Sequence, residues 1–271
     1  MTKQEFFRIC QFVYKQYGID LTKKEEFVHG RLDNLLRKNG WDSYDNYMNI
    51  VESDVTGMRK REMMDLLTTN HTFFMREGEH FDYMRREVLP WLAGKERKSK
   101  DLRIWCGAAS TGEEPYTLAM LLIDYFGLEH KNWDTKVLAT DLSTRVLKKA
   151  VKGEYTRQQI QPLPERWKRR FFRQSMGEED IYRVTEELKQ EVIFRQFNLM
   201  DEFPFRRKMH VIFLRNVMIY FDKETKQALL KRICRLLEPG GYLFVGQTET
   251  VDRHGLALDM VGPAVFRKTE A

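Results

Sequence analysis

Apolar positions recur at helical spacing over the early part of the chain, and from Leu102 onward short apolar runs alternate with helical stretches. Phe6, Phe7, Ile9, Cys10, Phe12 and Val13 predict a first helix. Thr22-Lys23-Lys24-Glu25 has the form of a capping box that opens a second. That helix carries Phe27, Leu32, Leu35 and Leu36 on one face and His29, Arg31, Arg37 and Lys38 on the other, and it stops at Asn39-Gly40. Ser43 caps a third helix through Tyr44, Tyr47 and Ile50, and Met58 to Thr68 predicts a fourth. Residues 1–85 show no strand pattern and are expected to form an N-terminal helical domain. A long amphipathic helix, Glu77 to Leu92, and a polar connector, Gly94 to Lys100, lead into the rest.

The second domain, residues 86–271, reads as strand and helix in alternation. Strands are predicted at Leu102–Cys106, Thr135–Thr140, Val192–Phe197, His210–Leu214, Tyr242–Gly246 and Ala264–Lys268. Helices are predicted at Glu113–Phe126, Ser143–Lys152 and Lys223–Leu237, the last ended by Pro239-Gly240-Gly241. Such alternation implies an α/β fold, a mostly parallel sheet covered on both faces. Ligands of such sheets sit at the carboxyl ends of the strands. The alternation breaks between Arg166 and Glu191, where Ile181–Val184 suggests a small β insertion at about 170–190.

Composition narrows the classes. Of 271 residues, 42% are hydrophobic and 13% aromatic, enough for a full core. No apolar run approaches a membrane span, so no membrane insertion is expected. The N-terminus lacks a signal-peptide pattern, which points to the cytoplasm. Cys10, Cys106 and Cys234 are odd in number and widely spaced, and the histidines do not cluster, so neither a disulfide framework nor a metal site is expected. The net charge of +6 rides on a surface rich in both signs (32% charged residues), and no aromatic stacking cluster points to nucleic acid.

The densest chemistry lies in Ile104-Trp105-Cys106-Gly107-Ala108-Ala109-Ser110-Thr111-Gly112-Glu113-Glu114-Pro115, a strand, a turn of small residues and the start of a helix. The two glycines have phosphate-loop spacing, but the Lys and Ser/Thr that would hold phosphates and magnesium are replaced by Glu113 and Glu114. Two carboxylates there repel a triphosphate, and the dinucleotide pattern G-x-G-x-x-G is absent. A ligand with hydroxyls and positive charge fits better, and S-adenosylmethionine has a ribose, an ammonium and a sulfonium. Asp141, at the end of the second strand, is placed either to accept hydrogen bonds from ribose hydroxyls or to cap the following helix. Ser110-x-x-Glu113 and Thr111-x-x-Glu114 both fit capping boxes, which leaves one glutamate, with Glu114 preferred, to face the ligand.

Other candidates follow from strand ends. Arg215 and Asn216 end the buried strand before Met218-Ile219-Tyr220-Phe221, where Tyr220 would aim its hydroxyl at the reacting atoms and Phe221 would enter the core. Asn198-Leu199 ends another strand, either as an adenine-reading pair or as a simple turn. Asn70, Thr72 and Arg76 lie between helices, either closing over a ligand from the side or, as these residues alone favour, forming a buried Phe-Phe-Met lining with a capping Thr, while His71, His80 and Cys106 read as structural.

Together these motifs resemble the chemotaxis receptor methyltransferases, the CheR family. The shared segments are Asn70-x-Thr72-x-x-x-Arg76, Ala108–Tyr116, Ala139-Thr140-Asp141, Asn198-Leu199 and Arg215–Phe221, in order over nearly the whole chain. The resemblance implies an all-α N-terminal domain, then a Rossmann-like methyltransferase domain with a small β insertion. It implies that Asn70, Thr72, Arg76, Gly107, Glu114, Asp141, Asn198, Leu199, Arg215 and Asn216 surround S-adenosylmethionine, with Tyr220 and Arg76 on the catalytic side. It also implies methylation of chemoreceptor glutamates, with S-adenosylhomocysteine as product, and a receptor helix met by the basic face of the second helix. Some members dock a receptor's C-terminal pentapeptide through a glycine-rich loop. Here Gln174-Ser175-Met176-Gly177-Glu178-Glu179-Asp180 has one glycine and three acids, which argues against that docking. A methyltransferase acting on RNA or a small molecule, and a non-enzymatic cofactor-binding module, are the rival readings.

Overall fold

A computed structural model describes residues 1–175 and 177–269. The N-terminal helices are α1 (Lys3–Tyr17), α2 (Glu25–Asn39), α3 (Tyr44–Ser53) and α4 (Met58–Leu67). Their apolar stripes converge on Ile9, Val13, Val28, Leu32, Tyr47, Met48 and Met63, all inaccessible to solvent. Gly18 and Gly40 end α1 and α2 in the left-handed region. Thr22 does not cap α2. Asp20 captures both its amide (2.9 Å) and its hydroxyl (2.7 Å), and Lys24 stands at the N-cap without a side-chain bond.

The expected long helix is a broken one: α5 (Glu79–Tyr83), a π turn (Met84–Val88) and α6 (Leu89–Lys95). Pro90 has no N–H to give to the preceding turn, and the wider π turn absorbs the mismatch.

The sheet domain then runs through β1 (Ile104–Cys106), α7 (Glu113–Phe126), β2 (Val137–Asp141) and α8 (Thr144–Lys152). Next come β3 (Glu154–Thr156), α9 (Arg157–Ile160), α10 (Glu165–Phe171), β4 (Phe172–Ser175), β5 (Glu178–Val184) and α11 (Glu186–Lys189). The chain closes with β6 (Val192–Gln196), β7 (Met209–Leu214), α12 (Lys223–Leu236), β8 (Leu237–Val245), β9 (Leu258–Gly262) and β10 (Val265–Lys268). The main sheet has the order β6-β2-β1-β7-β8-β10-β9. Five strands are parallel, and β10 and β9 close one edge antiparallel. Strand order reverses between β1 and β7, which opens a crevice at their carboxyl ends.

A second sheet, β3-β5-β4, forms the β unit, so the unit begins at Glu154, well before the expected position. Met176, in the turn considered for peptide docking, lies outside the described residues. Pro239-Gly240-Gly241 does not stop α12. The helix ends at Leu236, and the three residues form an irregularity inside β8, where a Cβ on Gly241 would meet the carbonyls of Glu238 and His210 at 2.9 Å. The strand β9 carried no visible signal, since its burial pattern is mostly exposed.

Alternation along the central strands divides the core. Ile104, Cys106, Val211 and Phe213 face the layer made by α5–α7 and the β unit. Trp105, Ile212 and Leu214 face the layer made by α12 and the N-terminal helices. The N-terminal bundle therefore shares one core with the sheet. Phe213 stacks on Phe244 at 4.3 Å, and both are fully buried. Phe213→Ala is expected to lower unfolding free energy by about 3–5 kcal/mol in urea titration; a loss under about 1 kcal/mol would mean that the site collapses around the smaller side chain.

Candidate functional site

The loop after β1 carries the first set of functional groups. A Cβ on Gly107 would lie 2.8 Å from Leu214 Cδ1, so a larger residue there would have to displace the Leu214 side chain. Ser110, with φ 48°, donates its amide to Asp141 Oδ2 (2.8 Å) and its hydroxyl to the Asn70 carbonyl (2.9 Å). Gly112 takes φ 100° as the N-cap of α7, where a Cβ would meet Ala150 Cβ at 2.9 Å. Neither expected capping box forms. Thr111 donates to Glu113 Oε2 (2.7 Å), and Glu113 turns inward, where burial raises its pKa. Glu114 faces the crevice.

Asp141 ends β2 and accepts the amides of Ser110 and Ser143 (2.8 and 2.9 Å). The helix cap is Ser143, whose hydroxyl accepts the Val146 amide. Burial lifts the Asp141 pKa against those two hydrogen bonds. Asp65 of α4, a residue without a sequence signal, accepts from the hydroxyls of Ser143 (2.5 Å) and Thr144 (3.2 Å) and so ties the bundle to α8.

The segment between α4 and α5 wraps the crevice. Phe74 anchors it by packing edge-on against Tyr155 and Phe172 of the β unit. Arg76 donates to the His71 carbonyl (2.9 Å) with its guanidinium over Phe73. On the other wall, buried Arg215 donates to Glu114 Oε2 (2.6 Å) and to the Arg76 carbonyl, and it pairs with Glu77 at 3.1 Å. Its Nε is buried and has no protein partner. Burial pushes the Glu77 carboxyl up, but the charge and hydrogen bond of Arg215 outweigh it and hold the pKa below the usual value. Cys106 donates its thiol to Glu114 Oε1 (3.0 Å); burial first, and then the Glu114 charge, drives its pKa up.

Tyr220 donates to the Thr69 carbonyl (3.3 Å), and Lys24 Nζ lies 4.8 Å from its ring centre. Burial raises its pKa, so the phenol stays protonated near neutral pH. Asn198 donates to the Gln16 carbonyl and accepts the Met200 amide, while Leu199 is buried.

The structure brings every residue singled out from the sequence onto one cavity: Asn70, Thr72, Arg76, Gly107, Glu114, Asp141, Asn198, Leu199, Arg215, Asn216 and Tyr220. His71, read as structural, also lines it. Sequence reasoning missed Tyr17, Ile19, Leu21 and Lys24, which the bundle contributes to the same wall. It also missed Glu77 and Glu249, which hold the arginine and its loop. An acid four residues after the end of a buried strand, as in Gly246-Gln247-Thr248-Glu249 after Val245, was the available signal for the last. Among the described residues no His/Cys/Asp/Glu group suits a metal, and no helix is long and apolar enough to cross a membrane.

Residues 70–265 match the family described as CheR methyltransferase, SAM binding domain, and residues 4–68 match CheR methyltransferase, all-alpha domain. The chain belongs to the CheR methyltransferase family. It is 38% identical over 272 residues to a chemotaxis protein methyltransferase of Borreliella burgdorferi, covering 99% of this chain and 95% of the relative. The corresponding proteins of Escherichia coli (37%, 98% of this chain and 91% of the relative) and Salmonella typhimurium (35%, 98% and 90%) are also similar. The chain is thus a methyltransferase of chemotaxis that uses S-adenosylmethionine. The cavity fits that cofactor: its carboxylates, Glu114 and Asp141, stand where a phosphate ligand would need cations, and the unpartnered Arg215 Nε offers a buried donor close by.

Arg215→Met leaves two half-buried carboxylates, Glu77 and Glu114, without their shared cation and is expected to destabilise by about 2–4 kcal/mol near neutral pH. The Glu77 pKa is depressed in the folded state, so its contribution is present above the unfolded carboxylate pKa and is lost as pH falls through the folded value. The deficit of the variant should therefore shrink below about pH 4. A pH-independent deficit in chemical denaturation would contradict the ion-pair account.

Proposed function

We propose that this enzyme forms glutamyl methyl esters on the cytoplasmic helices of chemoreceptors, the step that sets receptor adaptation, and that it acts in the cytoplasm. The observation that carries the reading is the convergence of Glu114, Asp141, Arg76, Arg215 and Tyr220 on one crevice in a chain whose relatives are chemotaxis methyltransferases.

Asp141 would hold the ribose hydroxyls, because each of its oxygens spends one lone pair on a backbone amide and keeps another to accept. Glu114 would face the cationic end of the ligand, and Asn198 and Leu199 the adenine. Asn70, Thr72, Gly107 and Asn216 would complete the enclosure. Arg76 would hold a carboxylate of cofactor or substrate by a two-point contact. S-adenosylmethionine, when bound, supplies an electrophilic methyl group and leaves as S-adenosylhomocysteine. The acceptor carboxylate has an ordinary pKa near 4.3, so it is ionised at neutral pH and needs no general base. Tyr220, kept protonated by burial, would orient the acceptor oxygen by donating to it. Rate would come from alignment rather than from proton transfer.

The partner reading has its own support. A groove between α2, α4 and α8 is lined by Arg31, Lys38, Arg59, Arg61, Arg145, Lys148 and Lys149 against only Glu62 and Asp65. Such a surface suits an acidic helix. Pentapeptide docking is not assigned to the β4–β5 turn, given its single glycine and three acids.

Labelled cofactor incubated with receptor-rich membranes should yield base-labile methyl esters, and no label should enter RNA; label in RNA alone would reverse the assignment. Asp141→Asn should weaken cofactor binding about tenfold or more in calorimetry while the protein stays folded; unchanged affinity removes the ribose role. Asparagine is the better test than alanine: it keeps an acceptor for one of the Ser110 and Ser143 amides, whereas alanine would strand both. Tyr220→Phe should lower turnover more than cofactor affinity, and equal turnover would remove the hydroxyl from the reaction.

A further inference from the structure

Glu249 does not line the crevice, yet it organises one wall of it. Its side chain is buried, and no ion pair with it occurs among the described residues. Four backbone amides take the place of a cation: Gly246 (2.7 Å) and Asn216 (2.8 Å) donate to Oε2, and Met218 (2.7 Å) and Ile219 (3.3 Å) donate to Oε1. Three of the four belong to the short loop that joins Arg215 to Tyr220. Asn216 sits in that loop at φ 56°, a left-handed conformation that a residue with a Cβ keeps only when its surroundings impose it. Gly246 completes the clamp from the end of β8, where a Cβ would lie 2.5 Å from Asn216 Nδ2 and 2.9 Å from Glu249 Oε2.

We propose that Glu249 is a positioning residue for methyl transfer: its carboxylate, gripped by the amides of Asn216, Met218 and Ile219, fixes the loop that aims Arg215 and Asn216 at the cofactor side and Tyr220 at the acceptor side. The inference rests on the methyl-transfer reading above and gives it a second layer. Glutamine in place of Glu249 keeps the shape but offers one acceptor oxygen and turns an NH₂ group towards two N–H donors. The loop then loses two of its ties and gains a repulsive contact.

The test is a double-mutant cycle in the full-length enzyme, with receptor membranes as acceptor and melting curves for each variant. Glu249→Gln should fold, lose about tenfold or more in kcat at saturating cofactor, and change the acceptor KM less. Placed on Tyr220→Phe, it should add a much smaller loss, because the misplaced hydroxyl is already gone. A kcat within about twofold of wild type in the folded variant, or losses that multiply fully in the double variant, would overturn the inference. Should Glu249→Gln not fold, Gly246→Ala strains the same loop from the other side; it should show the same fall in kcat, and wild-type kcat there would overturn the inference. If the wild-type enzyme itself makes no methyl ester, the methyl-transfer reading fails and this inference falls with it. An active wild type with an unaffected Glu249→Gln sinks this inference alone.

Discussion

One buried guanidinium organises the crevice. Glu77 and Glu114 come from different segments, and both carboxylates are drawn to it. Arg215 supplies the charge and reaches both, while also donating to the Arg76 carbonyl. It is 5% exposed, so its attraction to each acid is screened far less than that of a surface pair. The helix α7, the segment from Asn70 to Glu77 and the end of β7 are thereby tied to one side chain. Each brings candidate ligand contacts from a different part of the sequence.

The other acids in the site are managed without cations. Asp141 and Glu249 each accept backbone amides, two in one case and four in the other. Burial raises the pKa of both, and the hydrogen bonds work against it. The division of labour is physical. Glu114 lines the crevice with a guanidinium as its partner. Asp141 and Glu249 hold loops in shape, so their partners are the loops' own amides. A phosphate-binding loop on the same frame would need those amides for its ligand. Here the Ser110 amide is already committed to Asp141, which adds to the repulsion from Glu114 and turns the loop away from nucleotides.

Much of this was legible in the sequence. The strands β1, β2 and β7 and the helices α7, α8 and α12 follow from buried apolar runs alternating with amphipathic ones, because a parallel sheet covered on both faces demands that pattern. The site residues were legible for a related reason: they fall at strand ends, where polar residues interrupt apolar runs. What stayed hidden depended on contacts between distant segments. Thr22 has the sequence of a cap, but Asp20 competes for it locally. Ser110 and Thr111 have the sequence of capping boxes, but the tertiary demands of Asp141 and Asn70 take the first. Pro239-Gly240-Gly241 reads as a stop, and only pairing with β7 reveals it as a bulge. Glu77 gave no sign of its role, because no local pattern encodes an arginine that arrives from elsewhere in the chain.

The same reasoning accounts for the N-terminal bundle. Taken alone it has the size of a small helical domain. Its core, however, continues without a break through Trp105, Ile212, Leu214 and α12. Ile19 pairs with Phe221, the Asp20 amide donates to the Tyr220 carbonyl, and Lys24 lies over the Tyr220 ring. Asp65 grips the start of α8, next to Asp141. The bundle thus touches the crevice at both ends, through the Tyr220 segment and through the start of α8 beside Asp141. A recognition domain that merely tethered a substrate would not need these contacts.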